Sequence, residues 1–309
     1  MRNQKKYLAS ANTSAGFVNC FNSINPTKNS FCYILKGGPG TGKSSLMKKV
    51  ANYFEQKGHK IEYFYCSSDE DSLDGIRIKN FSIVDGTAPH VTEASMPGIK
   101  EKIINVGEFI NDDIKIHKQK IEKLISKKNT CFRLAYKYFS MLKTLTNIQS
   151  KLSMEQINSP SKNRTLFASY ISPSGFKSFY KQNNYKNVCF IEDNFVKSNV
   201  TLKTLEQKLK NENVPFTKFL SVFEPSLSEA IYNPTNKTLY VCKDIYEQKP
   251  QLKDKILSNI IIKKISNLLA KAKYYHKQIE SFYVPCMDFE GLNKITNKII
   301  AEIDSKVKI

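Results

Sequence analysis

The chain has 309 residues, 40% of them hydrophobic, with 19 Phe and 16 Tyr, a composition that excludes a disordered protein and permits two domains with real cores. No apolar stretch approaches the roughly 18 residues needed to cross a bilayer, which excludes a membrane-spanning reading. Seven cysteines without a C-x-x-C pair point to reduced thiols in a cytoplasmic setting rather than a disulfide framework, and four scattered histidines lack zinc-ligand spacing.

The formal net charge of +20 invites a nucleic-acid reading. Four of the 48 basic residues are arginine (Arg2, Arg77, Arg133, Arg164) and the other 44 are lysine, spread along the whole chain. No basic segment interleaved with aromatics stands out, so nucleic acid is not the favoured partner. The basic start (Arg2, Lys5, Lys6) is interrupted by Asn12, Thr13, Ser14 and Asn19, a poor match to a secretory signal.

In chain order, the first element of consequence is the apolar strand Phe31 to Leu35, which breaks into Gly37-Gly38-Pro39-Gly40-Thr41-Gly42-Lys43-Ser44-Ser45. A helical pattern follows (Leu46, Met47, Val50, Tyr53, Phe54). Strand, glycine-rich loop and helix are the order that a G-x-x-x-x-G-K-[ST] phosphate-binding loop requires. Its glycines let backbone N–H groups converge, and the positive end of the helix adds to that anion cradle. Gly37 to Ser45 are therefore the candidate nucleotide-binding residues. Lys43 is expected on the β- and γ-phosphates, and the Ser44 hydroxyl on Mg²⁺.

A second strand, Ile61 to Cys66, leads into Ser67-Ser68-Asp69-Glu70-Asp71, and a third, Phe81 to Val84, ends in Asp85-Gly86-Thr87. An aspartate at the end of an apolar strand has the form of a Walker B acid, so Asp85 is the second Mg²⁺ candidate; a solvent-facing strand end would look the same. The glutamate that often follows that acid is replaced by Gly86. Asp69, at the carboxyl edge of the sheet, is then the candidate to orient water or to accept a proton from an acceptor hydroxyl, with turn or cap chemistry as the competing reading. His90 is weighed as a phosphate sensor against a satisfied structural histidine, and Arg77 and Arg164 are the available arginine fingers. From Gly107 to Leu152 the apolar spacing predicts an amphipathic helical hairpin with a lysine-rich outer face.

The chain then repeats itself. Leu8 to Phe17 (LASANTSAGF) recurs as Phe167 to Phe176 (FASYISPSGF), 159 residues on, with Pro160 in a linker between the copies. A strand at Val188 to Ile191 follows, but the loop position reads Asn194-Phe195-Val196-Lys197-Ser198-Asn199-Val200-Thr201. Every glycine is gone, Val200 aligns with Lys43, and Phe195 and Val196 fill the space that phosphate oxygens need. The strand Leu239 to Val241 brings Cys242 opposite Asp85, with Asp244 nearby leaving a second register open, and Glu224 keeps an acid where Asp69 stands. A helical run from Ile256 to Phe282 closes the copy. The expected fold is α/β: two tandem P-loop NTPase-like, doubly wound domains, each with a helical extension, packed as a pseudo-dimer. The active domain is 1–158, with its hairpin at about 107–152, and the degenerate one is 164–309.

These segments resemble a family of bacterial tandem-repeat P-loop proteins known only as ATP-binding or nucleotide-kinase-like. The resemblance is carried by Tyr7 to Ala11 with Gly16-Phe17, by Ile34 to Lys49, by Cys66-Ser-Ser-Asp-Glu-Asp-Ser-Leu-Asp-Gly75, by Asp85-Gly-Thr-Ala-Pro-His90 and by Tyr283-Val-Pro-Cys-Met-Asp-Phe289. It implies an intracellular protein that prefers ATP. In similar proteins the second half commonly keeps its own loop; here it does not, so a two-site mechanism is not implied. Three functions follow as expectations: a Mg²⁺-dependent ATPase, a small-molecule or nucleotide kinase with Asp69 as base, or a non-enzymatic scaffold gated by nucleotide that offers its lysine-rich helices to protein or nucleic acid.

Overall fold

The computed structural model describes residues 4–24, 29–146, 163–193 and 195–307. The N-terminal half contains β1 (Lys5–Tyr7), β2 (Ser10–Thr13), β3 (Gly16–Asn19), β4 (Phe31–Lys36), α1 (Lys43–Gln56), β5 (Ile61–Tyr65), β6 (Leu73–Ile78), β7 (Phe81–Asp85), β8 (Glu101–Asn105) and α2 (Lys118–Thr146). The C-terminal half contains β9 (Arg164–Leu166), β10 (Ser169–Ser172), β11 (Gly175–Ser178), β12 (Asn187–Phe190), α3 (Phe195–Asn211), β13 (Thr217–Leu220), β14 (Ser228–Asn233), β15 (Thr238–Val241), α4 (Lys243–Tyr246), α5 (Lys255–Tyr283) and α6 (Phe289–Asp304). The chain is an α/β protein with mixed, largely parallel sheets.

The first sheet has the order β1-β5-β6-β7-β4-β8, and the second, read from its far edge, β9-β13-β14-β15-β12. The directions agree strand for strand. β1 and β5 are parallel, β6 runs antiparallel to β5 and to β7, and β7 is parallel to β4. β9, β13, β14, β15 and β12 repeat those relations. Register fixes the correspondence: Gly75 faces Val84 and Ala230 faces Val241, so the next residues, Asp85 and Cys242, are counterparts, as the sequence suggested. Each half also carries a short hairpin, β2-β3 and β10-β11. Leu8 and Phe167, one repeat apart, exchange backbone hydrogen bonds of 3.0 and 2.9 Å and join the halves.

Alternation along the strands explains the layers. On β4, Tyr33 and Leu35 point to one core, with Leu46, Met47, Val50 and Phe54 of α1 and Ile299, Ile300 and Ile303 of α6. Ile34 points to the opposite core, which the halves share through Leu8, Phe139, Phe167, Phe219, Phe223 and Ile265. The first sheet is thus covered on both faces, as a sheet with central parallel strands must be.

Two expectations change. The sheet is not wound from parallel strands alone, because Leu73–Ile78 forms a strand the sequence reading passed over. The region after Gly107 is not a hairpin in its described part: Asp112–His117 form a 3₁₀ segment that leads into one continuous helix, α2. Its partner is α5 of the other half, against which it packs along its length. The hairpin's remainder, 147–152, and the linker around Pro160 lie outside the described residues. Packing also crosses the division at 158 and 164. α6 lies on α1, where Tyr53 and Lys57 bind Asp304, and Lys102 of β8 binds Glu302.

Candidate nucleotide-binding site

The loop begins where β4 ends. Leu35 is paired with Asp85 on parallel β7, so the loop and the strand-end acid emerge side by side. The Gly37 N–H donates to Thr87 Oγ1 at 3.1 Å, and the Thr87 hydroxyl donates back to the Gly37 carbonyl at 2.8 Å. Thr41 donates to the Gly38 carbonyl at 2.8 Å, closing the turn. Gly40 and Gly42 have φ of +72° and +83°, a conformation that L side chains rarely adopt. Gly42 is the N-cap of α1 and offers no side chain, so the first-turn N–H groups keep their electropositive face toward the loop.

Lys43, the first residue of α1, curls back over this ring. Its Nζ donates to the Gly37 and Gly38 carbonyls at 2.6 and 2.8 Å and lies 3.7 Å from Asp85 Oδ2. Burial lowers the pKa of its ammonium, while Asp85 acts against that fall. Asp85 Oδ1 also accepts from the Thr87 N–H at 2.8 Å. Ser44 Oγ accepts from the Leu73 N–H at 3.0 Å, which ties the start of α1 to β6.

The C-terminal helices close over the loop, which no local sequence signal foretold. The Tyr283 ring lies against Gly38, the backbone of Glu280 against Gly40, and Leu292 and Phe289 against Gly42. A Cβ at Gly42 would stand 2.7 Å from Leu292, so that glycine also makes room for α6. The Tyr283 to Phe289 motif is the turn from α5 to α6 that makes this contact. Around it stands a band of titratable groups. Burial and Asp69 raise the pKa of Glu280, while the Lys277 charge, then the Gly40 N–H and the Lys43 charge, oppose the rise. His276 Nε2 is 3.6 Å from Glu280 Oε1. Burial first, then the Lys128 and Lys43 charges, push the His276 pKa down to about 4.

The remaining predicted residues divide. Asp69 accepts from Ser72 Oγ at 2.7 Å and pairs with Lys273 of α5 at 2.6 Å. Burial raises its carboxyl pKa, but these two partners hold it below the usual value. Arg77 and Arg164 are not near the loop; both bind Glu62, at 3.1 and 2.9 Å. His90 is buried between Phe21 and Phe17, with Asp74 and Ser10 as polar neighbours. Lys273 and Lys277 of α5 and Lys128 of α2 belong to this band, and sequence reasoning missed them because their helices lie far from the loop along the chain.

In the second half, helix replaces the loop. α3 begins at Phe195, so the residues aligned with Gly38 to Ser44 are already helical. Phe195 is fully buried and Val200 is 73% exposed, so neither a glycine turn nor an inward cation stands there. Cys242 contacts Ser198 where Asp85 faces Lys43. Asn194 and the side chain of Val196 lie outside the described residues. A surface cleft of about 440 Å³ opens beside α3 and β13, but there Lys210 and Lys218 are both paired with Glu206.

Residues 19–136 match the family described as Nephrocystin 3, N-terminal, a stretch that carries the glycine loop, Asp85 and part of α2. The match covers well under half of the chain and shows similarity over that segment alone. No curated protein and no solved structure matches the chain.

Proposed function

We propose that the N-terminal half binds Mg-ATP and hydrolyses it slowly, and that the C-terminal half is a nucleotide-free pseudo-domain whose helices respond to the bound nucleotide. The observation that carries this reading is the Gly37–Ser45 turn. Two left-handed glycines, an uncapped helix start, Lys43 against the loop carbonyls and Asp85 within 3.7 Å stand together at the end of one strand pair. Those groups suit a triphosphate: the amides and Lys43 for its oxygens, and Ser44 with Asp85 for the metal ion. Mg²⁺, when bound, would neutralise charge that develops on the transferred phosphoryl group.

The chain's own part is to hold the phosphates, exclude water under Tyr283 and Phe289, and keep Lys43 charged. Modest turnover follows from Gly86, which stands where a water-orienting glutamate is often found. The repeated strand order, the Leu8–Phe167 exchange and the α2–α5 pair support a pseudo-dimer of two P-loop-like halves, in keeping with the tandem-repeat resemblance. Calorimetric titration of Mg-ATP tests the reading. Lys43→Ala should lose binding by at least about tenfold (~1.4 kcal/mol) with the fold intact by circular dichroism, while Val200→Ala should bind like the parent. Equal affinity in the parent and Lys43→Ala would refute it.

A further inference from the structure

Behind the nucleotide loop lies a second cluster, which that reading does not use. Cys66 follows β5, Asp74 is the second residue of β6, and His90 lies in the loop after β7. Their ligand atoms all lie within 4.8 Å of one another. Asp74 and His90 are buried. Ser10 Oγ lies 3.3 Å from His90 Nδ1 and 3.2 Å from Asp74 Oδ2, while His90 Nε2 faces Asp74 Oδ1 at 3.5 Å. Three segments singled out in the sequence, at Ser10, at Cys66 to Gly75 and at Asp85 to His90, therefore converge on one point.

The other half shows what this framework looks like when hydrogen bonds alone satisfy it. Glu229 stands in the place of Asp74 and Ser169 in that of Ser10, again bonded at 2.8 Å. There Tyr180, the counterpart of Phe21 one repeat earlier, supplies the second donor at 2.8 Å. Ser221 takes the position of Cys66, its N–H bonded to Leu227 as that of Cys66 is to Ser72. Serine and tyrosine suffice to satisfy a buried acid. In the first half the same acid is given a thiol and an imidazole instead, and Phe21 has no hydroxyl but stacks on His90 with rings 3° from parallel. Sulfur from half-buried Cys66 and nitrogen and carboxylate oxygen from buried His90 and Asp74 converge in one small space, a donor set for a borderline-soft divalent cation.

We propose that Cys66 Sγ, Asp74 and His90 Nε2 bind a zinc-type divalent cation, with Ser10 orienting His90 through Nδ1 as an outer partner. One thiolate and one carboxylate balance the two positive charges, and the thiol proton leaves to solvent as the metal–sulfur bond forms. The fourth position falls to water. The cation would cross-link the end of β5, β6 and the loop after β7, the loop that also carries Thr87.

The test uses the full chain, stripped with chelator under a phosphine reductant, and titrated with Co²⁺ and then Zn²⁺. Expected are roughly one equivalent of Co²⁺ and a thiolate-to-cobalt charge-transfer band in the near ultraviolet that Zn²⁺ abolishes. Cys66→Ser should lose the band, and His90→Gln should weaken binding by about tenfold or more, while the exposed Cys189→Ser keeps both. If Cys66→Ser does not fold, His90→Gln and the parent protein decide. No uptake by the parent, or a band that survives in Cys66→Ser, overturns the proposal.

Discussion

Lys273 of α5 holds Asp69 at the carboxyl edge of the first sheet, with 2.6 Å between Nζ and Oδ1. The mirror relation also exists: Lys143 of α2 holds Glu224, the counterpart of Asp69, at 2.7 Å. Each half thus lends the other a lysine from its long helix. Asp69 is occupied by that exchange and by its turn with Ser72, which favours the turn reading over a general base. Because the Lys273–Asp69 pair is partly exposed, it contributes only about 0.5–1 kcal/mol. Lys273→Ala should therefore speed deuterium exchange of the loop amides by roughly two- to fivefold, read by mass spectrometry of peptides spanning 37–45. Unchanged exchange would mean that α5 is held over the loop by its apolar contacts alone.

Glu280 brings a negative charge beside Gly40 and toward Lys43, where phosphate oxygens are proposed to bind. Glu280→Gln keeps the shape and removes that charge, so Mg-ATP affinity should rise by about three- to tenfold, the effect of one nearby charge at partial exposure. A fall in affinity instead would assign Glu280 to holding the metal ion.

Glu229 is buried, and burial raises its carboxyl pKa to about 8, against the hydrogen bonds of Ser169 and Tyr180. The folded state therefore keeps a proton that the unfolded chain releases from about pH 4.5 upward. Stability from this group is fully present below about pH 4.5 and is lost as pH rises toward about 8. The loss amounts to roughly 5 kcal/mol as an upper limit. Urea titrations at pH 5 and pH 8.5 should show a smaller difference for Glu229→Gln than for the parent. An equal difference would place the pH response elsewhere.

The loop was legible because its signal is local: glycines, a lysine and flanking apolar periodicity within a few turns of chain. The register of Asp85 was legible for the same reason, but in the second half Cys242 and Asp244 both stood near that position, and the pairing of Ala230 with Val241 decides for Cys242. β6 was not, since Leu-Asp-Gly-Ile-Arg-Ile carries a buried acid and a glycine that break the strand pattern. The closing of α5 and α6 over the loop could not be read, because Glu280, Tyr283 and Leu292 look like ordinary helix residues until the chain has folded back by some 240 positions. The arginines failed as fingers for a similar reason: Glu62, an acid inside a strand, claims both.

The lodging of α6 against α1 has a bearing on biosynthesis. Leu46, Val50 and Phe54 are shielded by Ile299, Ile300 and Ile303, which leave the ribosome about 250 residues later. At a usual pace of about 5–20 residues per second, that interval is some tens of seconds. Throughout it the nascent first half carries a bare oily flank, a natural station for chaperones, and the glycine loop stays uncovered until Tyr283, Phe289 and Leu292 have been made.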